Sequence, residues 1–260
     1  MIILKDLLLG LIQGLTEFLP VSSSGHLALA KAFLGIRESG VGLEVMLHLG
    51  TLLAILIYYR KRLWELVVVG TFPPQRLWRT PQGRLILWIV LGSIPAGIIG
   101  ILLNNTIEGV FGAPHLVSIF LIITGGMLLL TLFQRKKTPQ GSVGPLRAFL
   151  IGIAQSIAIL PGISRSGSTI VTGELLGVEP RRAAEFSFFL AIPAIGGAVL
   201  LELTKGQLAL DIGAVLGMFV SLVSGYFALS FLIRLIERGK LYIFAPYCIA
   251  LGIVGLIFTV

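Results

Sequence analysis

The sequence predicts an all-α membrane protein of two inverted repeats, each a re-entrant helical hairpin followed by three transmembrane helices. Three observations predict this fold. Of the 260 residues, 56% are hydrophobic and only 12% are charged, which is about half the charged share of an ordinary soluble domain. Six segments are long and apolar enough to cross a bilayer. Two further segments are apolar but are broken in the middle by proline, glycine and serine.

The six predicted spans each contain roughly 20 mostly apolar residues, the length that the hydrocarbon core requires. They cover residues 42–59, 84–104, 115–133, 183–203, 212–234 and 241–260. Residues 1–36 and 146–178 instead predict pairs of helices that are too short to cross. Because bare backbone polar groups cannot face lipid, such breaks belong inside the protein or beside a watery cavity. Both segments are therefore predicted to be re-entrant hairpins.

The two broken segments resemble one another at an offset of 142 residues. The matched positions are small or polar: Gly10 with Gly152, Gln13 with Gln155, Ser22 with Ser164, Ser24 with Ser166 and Gly25 with Gly167. Each segment precedes three spans, so the single membrane domain divides into repeats at 1–133 and 146–260, linked by a basic cytoplasmic loop. Since three is an odd number, the second repeat is predicted to be inverted relative to the first.

Lysine and arginine predict the orientation of the spans, because cytoplasmic loops carry the excess of these residues. If the loop after the first span is inside, 15 of the 20 are cytoplasmic: Arg60, Lys61, Arg62, Arg76, Arg79, Arg84, Arg135, Lys136, Lys137, Arg147, Arg181, Arg182, Arg234, Arg238 and Lys240. The outer side then holds Lys5, Lys31, Arg37 and Lys205, and the twentieth, Arg165, lies inside the second break. Both termini are predicted to lie outside, with one hairpin entering from each side and the two tips meeting near the midplane.

Composition argues against several other classes of protein. The net charge of +8 and the pI near 10 would suggest nucleic-acid binding in a soluble protein, but here they indicate basic loops at an anionic inner leaflet. The single cysteine, Cys248, excludes an intrachain disulfide and a CxxC metal site. The glycine pairs at 125–126 and 196–197 are typical of helix packing rather than of nucleotide-binding loops.

The first break places three serines and a histidine within nine residues of a carboxylate. An ionisable residue inside the membrane marks a functional site by default, which makes Glu17 the main candidate. Gln13 lies four residues earlier and therefore on the same helix face. A helix that starts in the serine run would present free backbone N–H groups, which favour an anion. The polar residues of this run are Ser22, Ser23, Ser24 and His26.

The second break contributes an arginine among small polar residues. The guanidinium of Arg165 presents a planar fork suited to phosphate, and its charge needs a partner at this depth. Either Glu17 or a substrate phosphate would serve. Ser164 and Ser166 flank the arginine, and Thr169 follows on the same helix as the hydroxyl most suited to touch phosphate.

A second polar pair, Glu44 and His48, lies four residues apart near the outer end of the first span. The two share a helix face and could extend the site as metal or proton ligands. The pattern favours a structural pair whose groups are satisfied between helices.

The tip motifs, QGLTEFLPVSSSGH at 13–26 and PGISRSGSTI at 161–170, resemble the signature pair of the undecaprenyl-diphosphate phosphatase family, also called the bacitracin-resistance family. The similarity extends over the whole chain in length, span order and both motifs. That family carries Glu or Gln and then Glu four residues later, which here are Gln13 and Glu17. Its serine and histidine fall on Ser23 and His26, and its essential arginine on Arg165.

The resemblance implies hydrolysis of undecaprenyl diphosphate to undecaprenyl phosphate and inorganic phosphate. It implies a multi-pass protein of the bacterial inner membrane that recycles this lipid carrier for cell-wall synthesis and confers resistance to bacitracin. It also implies a divalent cation, Mg²⁺ or Ca²⁺. The site is predicted to open to the outer side, because few charges surround the first hairpin there. The accepted prenyl chain length and any homo-oligomer are left open.

Residue types suggest how such a site would work. Diphosphate cleavage needs charge neutralisation, an in-line nucleophile and a proton for the leaving oxygen. Arg165 and the cation meet the first need, and Glu17 is a metal ligand or general base. Either Ser23 or His26 is the nucleophile while the other assists proton transfer, or water attacks with Glu17 as its base. The residues expected to contact substrate are Gln13, Ser22, Ser24, Ser164, Ser166 and Thr169.

Three alternatives use the same features. A transporter or flippase for the lipid phosphate would share the inverted repeats and broken helices, but it needs no nucleophile. The phosphatidic-acid-phosphatase type of enzyme needs a histidine six residues after the arginine, where this chain has Val171. A structural scaffold would not need a buried arginine and a serine-histidine break at one depth.

Overall fold

The computed structural model describes residues 2–36, 41–102, 109–110, 112–134, 141–205 and 209–259. Within these ranges every regular element is helical. In chain order the elements are α1 (Ile2–Phe18), α2 (Ser23–Leu34), α3 (Val41–Tyr58), α4 (Arg60–Gly70), α5 (Pro74–Leu77), α6 (Pro81–Leu102), α7 (Pro114–Leu129), α8 (Thr131–Gln134), α9 (Pro145–Ile157), α10 (Arg165–Leu175), α11 (Pro180–Lys205), α12 (Ile212–Glu237), a 3-10 helix (Leu241–Phe244) and α13 (Ala245–Thr259). Among the cations used for orientation, Arg37, Arg135, Lys136 and Lys137 lie outside the described residues.

Both broken segments fold as pairs of short helices, as the sequence predicts. Helices α1 and α2 have 17 and 12 residues, and α9 and α10 have 13 and 11. At about 1.5 Å per residue none of them reaches the ~30 Å of a hydrocarbon core. Serine caps the second helix of each pair: the Ser22 side chain accepts from the backbone N–H of Gly25, and that of Ser164 from Gly167. The two breaks are thus built alike.

Five described helices are long and apolar enough to span a membrane. They are α6, α7 with α8, α11, α12, and α13 with the preceding 3-10 helix. A sixth candidate is α3 with α4, which bends by 83° at the junction. The protein is therefore a multi-pass membrane protein. The sequence analysis treated the basic residues 60–62 as part of a loop, and this was wrong: they form the first turn of α4, whose Trp64 and Val67 are exposed.

Glycine contacts lock each hairpin onto a long helix. A Cβ atom added at Gly10 of α1 would meet the backbone of Gly217 in α12, and one at Gly152 of α9 would meet the backbone of Gly92 in α6. The predicted packing role is also confirmed for Gly125, which faces α13. At Gly126, Gly196 and Gly197 a Cβ would meet nothing within 4 Å, so no described contact within the chain uses these three glycines for packing.

The two hairpins open at opposite ends of α12. The Asp6 carboxylate, near the start of α1, reaches Gly213 in the first turn of α12. At the far end, Glu237 pairs with Arg181 at 3.3 Å, and Arg181 belongs to the first turn of α11, which directly follows α10. These contacts agree with the predicted inversion. The complete inverted repeat stays a prediction.

Candidate active site

The carboxylate of Glu17 lies at the centre of the site, in the last turn of α1, and is only 7% exposed. Its Oε2 accepts a hydrogen bond from Gln13 Nε2 at 2.9 Å and another from Ser23 Oγ at 2.5 Å. Its Oε1 accepts a hydrogen bond from Arg165 Nη2. The predicted helical face shared by Gln13 and Glu17 is therefore confirmed, and both breaks contribute to one cluster.

Arg165 is the first residue of α10 and reaches across from the second break to the first. It forms an ion pair with Glu17, one of the two partners that the sequence analysis offered. Within the described part of the chain, its buried Nη1 has no hydrogen-bond partner. Guanidinium groups bind phosphate through paired N–H donors. The free edge of Arg165 is thus suited to an anion that arrives with the substrate.

The tip of the first break is held by an unusual backbone conformation at Ser22. Its φ of 67° is the only positive φ of a described residue other than glycine, and such conformations persist where the surroundings enforce them. The turned side chain accepts from the backbone N–H of Gly25 and from that of Gly162, both at 3.2 Å. Ser24 Oγ lies 3.2 Å from Ser22 Oγ. Ser22 therefore connects the two tips directly.

The tip of the second break is anchored by α7. Thr124 donates its hydroxyl to the carbonyl of Gly162 at 2.8 Å and accepts from the backbone N–H of Ser164 at 3.1 Å. Gly162 has a φ of 99°, and a Cβ there would meet the carbonyl oxygen of Val117, so glycine is required. The sequence analysis missed Thr124, because nothing in an apolar span identifies which hydroxyl faces a distant loop.

The polar residues around Arg165 bond to protein atoms. Ser164 Oγ accepts from Gly167 N at 3.0 Å, and Ser166 Oγ donates to the Leu19 carbonyl at 3.2 Å. Thr169 Oγ1 lies 2.6 Å from Ser187 Oγ. Ser166 thus joins the two tips, while Ser164 caps its own helix and Thr169 connects α10 to α11. Their contact with substrate, like that of Ser22, Ser24 and Gln13, stays a prediction.

His26 lies one turn after Ser23 on α2, but it points to another helix. Its Nδ1 is 2.8 Å from the carbonyl oxygen of Ser22, and its Nε2 is 2.7 Å from the hydroxyl of Tyr247 in α13. Because a carbonyl can only accept, Nδ1 carries a proton, and in the neutral imidazole Nε2 accepts from Tyr247. No described hydrogen bond or ion pair joins His26 to Glu17. Tyr247 was missed, since it lies in an apolar span far along the chain.

Comparison with known proteins places this arrangement in a family. Residues 6–254 match the sequence model of a family described as bacitracin resistance protein BacA. The chain belongs to the BacA family. It is 46% identical over 267 residues to an undecaprenyl-diphosphatase of Desulfosudis oleivorans, with 96% of both chains covered. Identity is 38% over 270 residues to the protein of that name from Desulforapulum autotrophicum, with 97% of both covered, and 36% over 258 residues to the one from Korarchaeum cryptofilum, with 96% and 97% covered.

His48 is the residue of this BacA-family site that the sequence analysis underrated. Its Nδ1 lies 2.8 Å from the carbonyl of Glu44, which directs Nε2 to within 3.6 Å of Glu17 Oε2. The side chain of Glu44 instead forms an ion pair with Lys31 of α2. The predicted structural pair is therefore divided: Glu44 is satisfied between helices, while His48 faces the site.

Few oxygen ligands for a divalent cation surround Glu17 in the described part of this BacA-family protein. Among the described residues no three His, Cys, Asp or Glu side chains are grouped as a metal site. Glu17 is the carboxylate at the centre, and the buried Oε1 of Gln13 has no hydrogen-bond partner within the described ranges. Carboxylate and amide oxygens suit Mg²⁺ and Ca²⁺. Glu17 and Gln13 are therefore the two residues here whose oxygens a divalent cation would use, with water and substrate oxygens as its other ligands.

Proposed function

We propose that this BacA-family protein hydrolyses undecaprenyl diphosphate to undecaprenyl phosphate and inorganic phosphate. The observation that carries the proposal is the 2.5 Å contact of Ser23 Oγ with Glu17 Oε2, beside the unpartnered Nη1 of Arg165. It pairs a hydroxyl nucleophile with a base next to a phosphate-binding group. The relatives named undecaprenyl-diphosphatase support the same substrate. A transporter of the lipid phosphate would need the anion site without the serine-carboxylate contact.

Ser23 is the proposed nucleophile. Its oxygen attacks the terminal phosphorus while Glu17 accepts its proton and passes it to the oxygen of the departing undecaprenyl phosphate. Water then attacks the phosphoserine, Glu17 accepts a proton from the water, and that proton returns to Ser23 as inorganic phosphate leaves. The geometry favours Ser23 over His26, because the imidazole has one nitrogen on the Ser22 carbonyl and the other on Tyr247.

Positive potential at the tips stabilises the transferring phosphoryl group in this proposal. Charge in phosphoryl transfer is spread over the equatorial oxygens, so catalysis relies on positioned donors. Arg165 Nη1 is one donor. Helices α2 and α10 both begin at the breaks, and their first N–H groups favour anions.

A divalent cation, Mg²⁺ or Ca²⁺, forms part of the proposal. Glu17 and Gln13 Oε1 would hold it together with diphosphate oxygens. Such a cation neutralises phosphate charge and orients the scissile bond when it is bound. Gln13 Nε2 and Ser23 Oγ donate hydrogen bonds to the Glu17 carboxylate and thereby orient it.

The proposed location is the bacterial inner membrane, with both termini outside and the site open to the outer side. Arg62 and Arg181 pair with Glu185 and Glu237 at one end of the helices, which the positive-inside rule makes cytoplasmic. A phosphatase facing outward would recycle the carrier for cell-wall synthesis. By removing undecaprenyl diphosphate it would also confer resistance to bacitracin.

A phosphate-release assay tests the proposal. The purified protein in detergent, with Mg²⁺ or Ca²⁺, should release phosphate from undecaprenyl diphosphate, and Glu17→Ala should abolish the release. The chelator EDTA should also stop it. No release by the wild type, combined with movement of undecaprenyl phosphate across proteoliposomes, would select the transporter instead.

A further inference from the structure

Gln155 is a buried amide without hydrogen bonds. It is only 2% exposed, and within the described ranges neither Nε2 nor Oε1 has a partner. Burying an amide in this way is unfavourable, and each such case in a native protein requires an explanation. Gln155 is also the repeat equivalent of Gln13, which holds Glu17.

Helix geometry locates Gln155 beside Arg165. A Cβ at Gly173 of α10 would lie 3.6 Å from Ile151 Cδ1 of α9, so these two residues are level in the hairpin. The two helices of this hairpin, α9 and α10, run in opposite directions. The residue one turn after Ile151 in α9 is therefore level with the residue one turn before Gly173 in α10. Gln155 is therefore level with Thr169, one turn from Arg165.

The surroundings of Gln155 are polar on the side towards the tip. Thr169 Oγ1 bonds to Ser187 Oγ at 2.6 Å and donates to the Arg165 carbonyl at 2.8 Å. Gln155 shares its helix stripe with Ile151, which packs on Phe186 next to Ser187. The amide thus lies in the protein interior, at the level of Thr169 in the hairpin and one turn from Arg165.

We propose that Gln155 binds the lipid-linked phosphate of the substrate, the one that is not transferred, by donating from Nε2 to its oxygens. This inference rests on the proposed function. A diphosphate presents two phosphate groups, and the cluster of Glu17 and Ser23 accommodates the one that is cleaved. The second requires a donor of its own. Arg165 Nη1 serves the transferred phosphoryl group, and among the described side chains of the second repeat the other buried nitrogen without a partner is Gln155 Nε2.

The test is Gln155→Met, which keeps the length of the side chain but removes its donor. We expect the KM for undecaprenyl diphosphate and the inhibition constant of undecaprenyl phosphate to rise about tenfold, as for a lost hydrogen bond to a charged group. The melting temperature without ligand should not fall, since an unsatisfied amide is removed. Gln155→Glu, which adds repulsion, should weaken inhibition further. The control is Ser156→Ala, whose hydroxyl only bonds the Gly152 carbonyl of its own helix at 2.9 Å.

Three outcomes would overturn the inference. One is an unchanged KM and inhibition constant in Gln155→Met. Another is that Gln155→Met weakens inhibition by inorganic phosphate but not inhibition by undecaprenyl phosphate, which would assign Gln155 to the cleaved phosphate. The third is a lower melting temperature with unchanged inhibition, which would make the role structural. All three require an active wild type, so they differ from failure of the proposed function, in which the wild type releases no phosphate.

Discussion

Arg165 and Glu17 are 148 residues apart in the sequence and form an ion pair between the two breaks. The ion pair joins Nη2 of the guanidinium to Oε1 of the carboxylate. Glu17 still holds Gln13 and Ser23, while Arg165 keeps Nη1 free of described partners. The site is therefore assembled and balanced in charge before any substrate arrives, with one donor left for phosphate.

Replacing one charged residue of this pair should destabilise the protein more than replacing both. Arg165→Met removes the arginine partner of a buried carboxylate, a loss that costs about 3–5 kcal/mol, and it should abolish activity. The double variant Glu17→Gln with Arg165→Met should recover most of the stability but none of the activity. Thermal unfolding in detergent and phosphate release measure the two effects. A double variant as unstable as the single one would show that the ion pair does not carry the cost.

Ser23→Ala should lower kcat by about 10³-fold or more, as the loss of a nucleophile does in enzymes with a covalent step. Acid quenching of the wild type with substrate labelled at the terminal phosphate should trap label on Ser23. Ser230→Ala is the matched control, because Ser230 bonds only the Tyr226 carbonyl of its own helix. Activity retained in Ser23→Ala would instead indicate direct attack by water.

Gln13 should determine how much divalent cation the phosphatase activity requires. Gln13→Glu replaces the amide oxygen with a charged one, so half-maximal activity should need about tenfold less Mg²⁺, because ligand charge tunes cation affinity. Gln13→Met removes the oxygen and should raise the requirement. Titration of activity with Mg²⁺ measures both. Identical titrations for the three proteins would remove Gln13 from the metal site.

Tyr247→Phe should have a modest effect. It removes one neutral hydrogen bond to His26, so kcat/KM should fall about 2- to 12-fold, whereas His26→Ala should lower it further if the imidazole assists proton transfer. Steady-state kinetics on undecaprenyl diphosphate compare them. Equal losses in both variants would show that the histidine acts only through its contact with the tyrosine.

Gly152→Ala should destabilise the protein, because its Cβ would meet the carbonyl oxygen of Gly92. Overpacking of this kind costs about 1–3 kcal/mol. Gly196→Ala, where a Cβ meets nothing within 4 Å, should leave the melting temperature equal or slightly raised, since alanine favours helix. A fall in both would indicate an interface at Gly196 that a single chain does not show.

Local patterns in the sequence predict much of this fold. Hydrophobic segment length predicts the long helices, and the serine-rich breaks predict where α2 and α10 begin, because a serine cap and a run of apolar residues are local features. The start of α4 was missed because the local features of the sequence are misleading there. Its basic first turn resembles a loop, and the chain bends by 83° after Tyr58 to place α4 against α6, a contact that is distant in the sequence.

By itself the sequence determined the membrane class, the two breaks, the pairing of Gln13 with Glu17, and the candidacy of Ser23 and Arg165, since each follows from composition or from spacing along one helix. Only the tertiary structure decided which groups meet across the breaks. It brought His48 to Glu17, turned His26 to Tyr247, and left Gln155 without a partner. Those outcomes depend on how helices that are distant in the sequence approach one another. Close approach at a glycine such as Gly10 or Gly152 requires a matching surface on the other helix, so no single stretch of sequence is enough to predict it.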